Sequence, residues 1–335
     1  MNNHPSISII LPFYNAVNTL SIAIESILNQ SFTNFELVLV DNFSTDGSWE
    51  TSKSFAKNDN RIVLLRKRQK GVSFAFNKGL AASKGKFIAR MDADDISYPN
   101  RLEKQFSFLQ ENPLISIVTT QVDTNLLPQN KGFQTFITWS NSLITPEQIA
   151  LSRFIEQPVV NPTLMCRKVV FDKIGSYQQG NFPEDYDWFL RIFEGGLHIA
   201  KLSQKLFFWR DSSTRLSRTD NRYSIVAFYK TKAFYLAKWL KQNKPRHLKI
   251  AIWGMGKKSR QRSSLLKQHG IHIEAYVDVL KNINIGITYF YYENLPKPGM
   301  YFIISYVGNR GARNKIKFFL LRKGYQEGID FILAA

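Results

Sequence analysis

Apolar, β-branched runs alternate with amphipathic stretches over the first 120 residues. Positions 6–11, 35–40, 62–65 and 87–91 are near-continuous apolar runs of strand length, the pattern of strands buried on both faces. Between the first two, Leu20, Ala23, Ile24, Ile27 and Leu28 share one stripe of a helix predicted over 19–29. A second helix is predicted over 49–57, and a third opens at Lys70-Gly71 and closes at Gly85. Strands alternating with helices at this spacing predict an α/β fold with a largely parallel sheet and right-handed crossovers. A helix then starts at Tyr98-Pro99 and runs to about 111, followed by strands at 114–120, within 158–167 and at 206–209. Residues 121–150 read as polar and irregular, and residues 181–191 as a loop opening a helix.

The pattern restarts further on. A long, mostly apolar helix over 223–240 leads through Asn243-Lys244-Pro245-Arg246 into strands at 248–253, 271–277 and 300–305. Helices follow the first and third of these, over 257–268 and up to Lys323. This reads as a first domain over 1–220, a helix and linker over 221–246 and a small Rossmann-like α/β domain over 247–335. A length of 335 residues accommodates two cores. No apolar run approaches the roughly 18 residues of a membrane span, and the N-terminal residues lack the pattern of a secretory signal. Cys166 is the one cysteine, which excludes an internal disulfide, suits a cytoplasmic location and reads as a buried apolar residue.

Charge separates the two parts. Residues 1–220 hold 24 Lys+Arg against 21 Asp+Glu, a net of +3, whereas residues 221–335 hold 21 against 5, a net of +16. The basic last third predicts an anionic partner, with a membrane surface favoured; no nucleic-acid motif accompanies it, so nucleic acid is not expected.

Chemistry-bearing residues fall at the ends of the predicted strands. Pro12, Tyr14 and Asn15 end the first, Asp41 the second, Lys70 and Asn77 flank the third crossover, and Asp92, Asp94 and Asp95 end the fourth. Open α/β sheets bind ligands outside the carboxyl ends of their strands. An aromatic face, a hydrogen-bonding acid, a base and a carboxylate pair suited to Mg²⁺ or Mn²⁺ together read as a nucleotide-diphosphate site. Taken singly, each has a second reading: Tyr14 as core, Asp41 and Asp95 as helix caps, Lys70 as a solvated charge. Arg210, Arg215 and Arg218 form either a cover for a diphosphate or a solvated loop face.

Six segments carry a resemblance: Ile9-Ile10-Leu11-Pro12-Phe13-Tyr14-Asn15, Ile27 to Phe32, Val38 to Ser48, Gly71 to Gly79, Ala89-Arg90-Met91-Asp92-Ala93-Asp94-Asp95, and Glu184-Asp185-Tyr186-Asp187-Trp188-Phe189-Leu190-Arg191. In order and spacing over roughly residues 5–220, the chain resembles the family 2 glycosyltransferases of the GT-A fold. The family usually carries two adjacent acids after the second strand; here the pair is Asp41-Asn42, which leaves Asp41 as the nucleotide contact. The resemblance implies inverting transfer of a sugar from a nucleotide-diphosphate donor, expected to be a UDP-sugar, to the hydroxyl of a glycan or lipid-linked acceptor. It implies a metal on Asp94 with Asp92 beside it, and Asp185 as the base. Glu184 and Asp187 would raise the Asp185 pKa by like-charge repulsion, and Arg191 would orient the helix or an acid. Residues 121–150 would lie on the acceptor side. Work on surface polysaccharide or lipopolysaccharide, peripheral to the inner face of a membrane, follows from the same resemblance.

Two other functions stay open. Trp253-Gly254-Met255-Gly256 after a strand, with Asp278 ending the next, is similar to the start of a dinucleotide motif, so a sugar-nucleotide oxidoreductase is one. A non-catalytic nucleotide-sugar binding module is the other.

Overall fold

The computed structural model describes residues 4–125, 131–212, 215–281, 286–309 and 311–335. The chain divides into two compact units: one of residues 1–149, 158–180 and 187–219, the other of residues 150–157, 181–186 and 220–335.

In the first unit the strands are β1 (Ile7–Phe13), β2 (Phe35–Asp41), β3 (Ile62–Arg66), β4 (Phe87–Arg90), β5 (Ile96–Ser97), β6 (Ile117–Asp123), β7 (Met165–Arg167) and β8 (Ile199–Phe208). They form one sheet in the order β3-β2-β1-β4-β7-β6-β8-β5. β3, β2, β1 and β4 run parallel, β7 is antiparallel to both its neighbours, β6 and β8 are parallel, and β5 is antiparallel to β8. All seven residues of β1 and of β2 are buried, as a sheet covered on both faces requires. Helices α1 (Val17–Leu28), α2 (Ser48–Asn58) and α3 (Val72–Ala82) make the first crossovers. The predicted stripe of α1 is its buried face, through Leu20, Ala23, Ile24 and Ile27; the leucine and the two isoleucines each contribute roughly 1.5–3 kcal/mol. Gly79 lets α3 lie close on the sheet, since a Cβ there would stand 2.6 Å from the Ile10 Cγ2 atom.

Several expectations need correction. Helix α4 (Arg101–Glu111) starts after Tyr98-Pro99, because Ser97 closes strand β5 and the Gln30 side chain accepts the Leu102 N–H at 3.0 Å. Residues 121–150 are not irregular: β6 continues to Asp123, and α5 (Lys131–Ser142) and α6 (Pro146–Ser152) follow, with 126–130 outside the described residues. β8 is ten residues long, beginning at Ile199. Its first half hides behind Lys201, which is buried with its ammonium bonded to the Ser140 and Pro158 carbonyls. Two short helices, α7 (Val169–Ile174) and α8 (Glu184–Glu194), precede β8, and α9 (Leu216–Thr219) follows it.

In the second unit, helix α10 (Ile225–Asn243) precedes a five-stranded sheet of β9 (Lys249–Trp253), β10 (Ala275–Asp278), β11 (Thr288–Tyr291), β12 (Tyr301–Ser305) and β13 (Phe331–Leu333). The sheet is wholly parallel, in the order β11-β10-β9-β12-β13. β11 and β13 were not expected; both are too short to register as apolar runs. Helix α12 (Ala312–Arg322) packs Ile316 and Leu320 on the face that carries Ala251, Trp253, Ile303 and Leu333. On the opposite face Trp239 of α10 meets Phe302, and α11 (Lys257–Gln268) packs against α10. Among the described residues, no helix is long and apolar enough to cross a membrane.

Candidate active site

Parallel pairing of β3, β2, β1 and β4 brings their carboxyl ends to one edge: Phe13 pairs with Asp41, Asp41 with Arg66, and the Met91 N–H reaches the Ile10 carbonyl at 3.1 Å. The loops leaving this edge are tied together by side chains. Ala16, the residue before α1, cannot cap the helix, so Ser48 Oγ accepts the Ala16 N–H and Asp46 Oδ2 the Val17 N–H, at 2.9 and 3.0 Å. Asp46 thereby places a negative charge at the positive end of α1. Asn15 adopts a left-handed backbone, φ 47°. Its Oδ1 accepts the Thr45 N–H and its own N–H reaches Ser44 Oγ.

Asp41 is fully buried, with Oδ1 accepting the Ser44 N–H at 2.9 Å and Oδ2 paired to Arg66 Nε at 2.8 Å. The Arg66 guanidinium lies 4.7 Å from both the Phe43 and Trp49 ring centroids. Asn42, the neighbour that departs from the family's paired acids, has a defined task. Its Nδ2 donates to the Lys67 and Gln69 carbonyls (2.9 and 2.8 Å), and its Oδ1 accepts the Gly71 N–H at 2.7 Å. This fastens the loop that carries Lys70, whose ammonium lies 5.4 Å from the exposed Tyr14 ring. Pro12 is buried in β1, one residue before the strand ends at Phe13. The Asn77 Nδ2 donates to the Tyr177 carbonyl at 2.8 Å, and its Oδ1 is buried without a hydrogen-bond partner.

The acid run leaves β4 as the sequence suggests. Asp92 pairs with Arg90 Nε at 3.0 Å. Asp94 is half-buried, and burial together with the nearby charge of Asp92 holds its carboxyl above the usual range, with Arg215 and Arg210 opposing. Asp95 is fully buried and pushed up further, by burial first and by Asp94 and Asp92 next. Its Oδ1 accepts the Arg210 N–H at 2.9 Å and its Oδ2 is a buried oxygen without a hydrogen-bond partner. Arg210 Nε donates to the Asp94 carbonyl at 2.8 Å. Arg215 stacks 3.7 Å from the Trp209 ring centroid, and Arg218 pairs with Asp211 at 2.6 Å. The three arginines are therefore held by protein groups rather than spread on a solvated loop. Beneath the run, Arg101 is fully buried and donates to the Arg90 and Pro162 carbonyls at 2.8 and 3.0 Å. Sequence reasoning missed Arg101, Asn42 and Arg66; a buried arginine and a loop-fastening amide have no periodic signature.

No group of three His, Cys, Asp or Glu ligands occurs among the described residues, but Mg²⁺ and Mn²⁺ sites of this kind use one or two carboxylates with substrate oxygens. Crowded, desolvated acids with an unpartnered oxygen on Asp95 are the electrostatic setting a cation relieves, so the residues fit one.

Asp185 opens α8. Its Oδ1 accepts the Tyr186 N–H at 2.8 Å. Glu184 is buried and accepts the Tyr223 hydroxyl at 2.6 Å. Asp187 is paired with Arg191 at 2.9 Å, and Arg191 also donates to the Ile174 and Ser176 carbonyls. Arg191 thus orients the helix and one of its acids. Each like-charged neighbour of Asp185 has a partner of its own.

The sequence profile described as Glycosyl transferase family 2 matches residues 8–175, half of the chain. The chain belongs to this family. As a family 2 glycosyltransferase it is 33% identical over 232 residues to the Bacillus subtilis (strain 168) protein named as glycosyltransferase EpsE, covering 67% of this chain and 80% of that one. It is 30% identical over 243 residues to the Escherichia coli O-antigen biosynthesis glycosyltransferase WbnJ, covering 70% and 89%. The crystal structure of S. aureus TarS 1-349 in complex with UDP-GlcNAc superposes with a TM-score of 0.56 at 16% identity, over 78% of this chain and 71% of that one. At that identity the likeness is one of fold.

Proposed function

We propose that this glycosyltransferase transfers a sugar, with inversion, from a nucleotide-diphosphate donor to an acceptor hydroxyl during assembly of a surface polysaccharide or lipopolysaccharide. The observation that carries the proposal is the crowded acid run Asp92-Ala93-Asp94-Asp95 at the carboxyl end of β4, held from the other side by Arg210. Pro12, Tyr14, Asn15 and Lys70 would shape the nucleotide side, with Asp41 and Asn42 fixing the loops that surround the base. Asn77 would help hold the donor pocket through its tie to Tyr177. Uridine nucleotides are the first to test, since TarS, of the same fold, was solved with UDP-GlcNAc. The name of WbnJ, an O-antigen biosynthesis glycosyltransferase, supports an enzyme of surface-glycan assembly, and a glycan or lipid-linked acceptor is the one we propose for it. The net charge of +16 over residues 221–335 supports a peripheral contact with an anionic membrane.

Asp92 and Asp94 would hold a divalent cation, which supplies Lewis-acid neutralisation of charge on the departing diphosphate. Asp185 takes the proton of the acceptor hydroxyl, whose oxygen attacks the anomeric carbon as the bond from that carbon to the diphosphate oxygen breaks. Arg210 and Arg215 keep the acids of the run in place and temper their mutual repulsion.

The oxidoreductase reading meets a specific obstacle. A dinucleotide pyrophosphate needs the free N–H groups after β9. Here the Asp278 carboxylate accepts the Met255 N–H at 2.5 Å and would repel a phosphate. Thermal denaturation with UDP and GDP, with and without Mg²⁺ or Mn²⁺, tests the proposal. A nucleotide-dependent rise in Tm that needs the cation and is lost in Asp94→Ala is expected. Stabilisation by NAD alone, or a shift indifferent to chelator, overturns it.

A further inference from the structure

Helix α12 carries five bases (Arg313, Lys315, Lys317, Arg322 and, just past its end, Lys323) and no acid. One side of it is committed to the core through Ile316 and Leu320. The other side presents Phe318 and Leu321, 62% and 45% exposed and one turn apart, with Lys315 and Arg322 beside them. The Arg322 guanidinium lies 5.5 Å from the Phe318 ring centroid. The 296–300 loop adjoins the end of the helix, where Pro298 lies 3.9 Å from the Cβ position of Gly324, and it adds the exposed Lys297 and Met300. Of the acids on this side, Glu327 is paired with Lys317 at 2.5 Å, and Glu293 is exposed and accepts the Tyr292 hydroxyl.

We propose that this face of α12 is where the second unit lies on an anionic lipid surface, with Phe318 and Leu321 entering the interface and Lys315 and Arg322 reaching the headgroups, while the Lys323 ammonium stays on the Glu293 and Leu295 carbonyls at 2.6 and 3.0 Å. Large apolar side chains set among bases on one side of a helix match an interfacial binder, where burial and charge act together. A second copy of the same patch would set like charges against each other, which disfavours self-association. The opposite face offers a different surface: the exposed bases of α11 are Lys257, Lys258, Arg260 and Lys267, with no large exposed apolar side chain on that helix. The proposal rests on the preceding reading for its biological purpose, because a lipid-linked or membrane-proximal acceptor gives the contact a use.

Co-sedimentation of the full chain with phosphatidylcholine vesicles, with and without phosphatidylglycerol, tests it. Wild type binds only the phosphatidylglycerol vesicles and is released by salt. Phe318→Ser/Leu321→Ser, both at exposed positions, weakens binding at least about tenfold and leaves nucleotide-dependent stabilisation unchanged. Lys257→Glu/Arg260→Glu on α11 has the smaller effect. Equal binding by the Phe318→Ser/Leu321→Ser variant, loss only in the α11 variant, or a lipid-independent dimer abolished by that variant overturns the proposal. Vesicle binding that persists in a protein showing no nucleotide effect removes the transferase reading and leaves the surface standing.

Discussion

The backbone N–H of Arg210 donates to the Asp95 carboxylate at 2.9 Å across 115 residues of sequence. This bond, with Arg210 Nε on the Asp94 carbonyl, ties the segment after β8 to the acid run after β4. Asp95 is therefore a structural acid, distinct from Asp92 and Asp94 in what it can offer a substrate. Asp95→Asn keeps an acceptor for the Arg210 N–H and removes a crowded charge, whereas Asp95→Ala leaves that N–H unpaired. Urea denaturation is expected to show Asp95→Ala less stable than Asp95→Asn by about 1–3 kcal/mol. Equal stability of the two would mean the bond does not hold the segment.

Asn42 yields a second prediction. Its amide donates to two carbonyls and accepts one N–H, so Asn42→Asp keeps the shape and the bond from Gly71 but turns a carboxylate oxygen toward the Lys67 and Gln69 carbonyls. The 67–71 loop should loosen, with a stability loss of about 1–3 kcal/mol and a rise in the donor KM as Lys70 loses its place beside Tyr14. A variant with unchanged stability and KM would show that the loop is held by other means.

The elements that the sequence made legible are those whose burial follows a period. The runs of β1, β2 and β4 and the stripe of α1 were readable because most of their buried positions are apolar, with Ser8, Glu36, Asp41 and Arg90 the buried polar exceptions in the strands, and the acids after β4 stood out as carboxylates at a strand end. Where burial depends on a polar side chain the pattern fails. Lys201 interrupts β8 although it is buried, and α5 escapes because among its described residues only Ile137 and Ser140 are buried. Asn141 adds to this, its side chain pairing with the Val122 N–H and carbonyl (3.0 and 2.9 Å) as a strand would. Within the candidate site, the acid run was legible, while the engagement of Asp41 by Arg66 was not, since it depends on register between β2 and β3.

Lys201 gives a prediction in pH. Its ammonium is buried on Ser140 and Pro158 oxygens, and burial lowers its pKa from 10.5 to about 7. Between those values the unfolded chain binds the proton and the native protein does not, so this group makes stability rise with pH from about 7 to about 10.5, at up to roughly 1.4 kcal/mol per pH unit. Below pH 7 the native state carries the full penalty. Lys201→Met removes the titration, so relative to wild type it should fare better at pH 6 than at pH 10, by thermal melts. A difference between the two proteins that does not change with pH would place the Lys201 pKa near its ordinary value.

Asp185 carries the most consequential prediction. Asp185→Asn is isosteric and retains an acceptor for the Tyr186 N–H, so the start of α8 should survive. Glu184 still receives the Tyr223 hydroxyl and Asp187 still pairs with Arg191. What is lost is the ability to take a proton. If Asp185 is the base, kcat should fall by about 10²–10⁴, while the nucleotide-induced rise in Tm stays as in wild type. Asp187→Asn should behave in the opposite way: it weakens the clamp of Arg191 on α8 and lowers stability, with a smaller effect on turnover. The pair separates a chemical role from a structural one on the same helix. Near wild-type turnover in Asp185→Asn would remove Asp185 as the base, and a comparable loss of turnover in both variants would assign the effect to the helix.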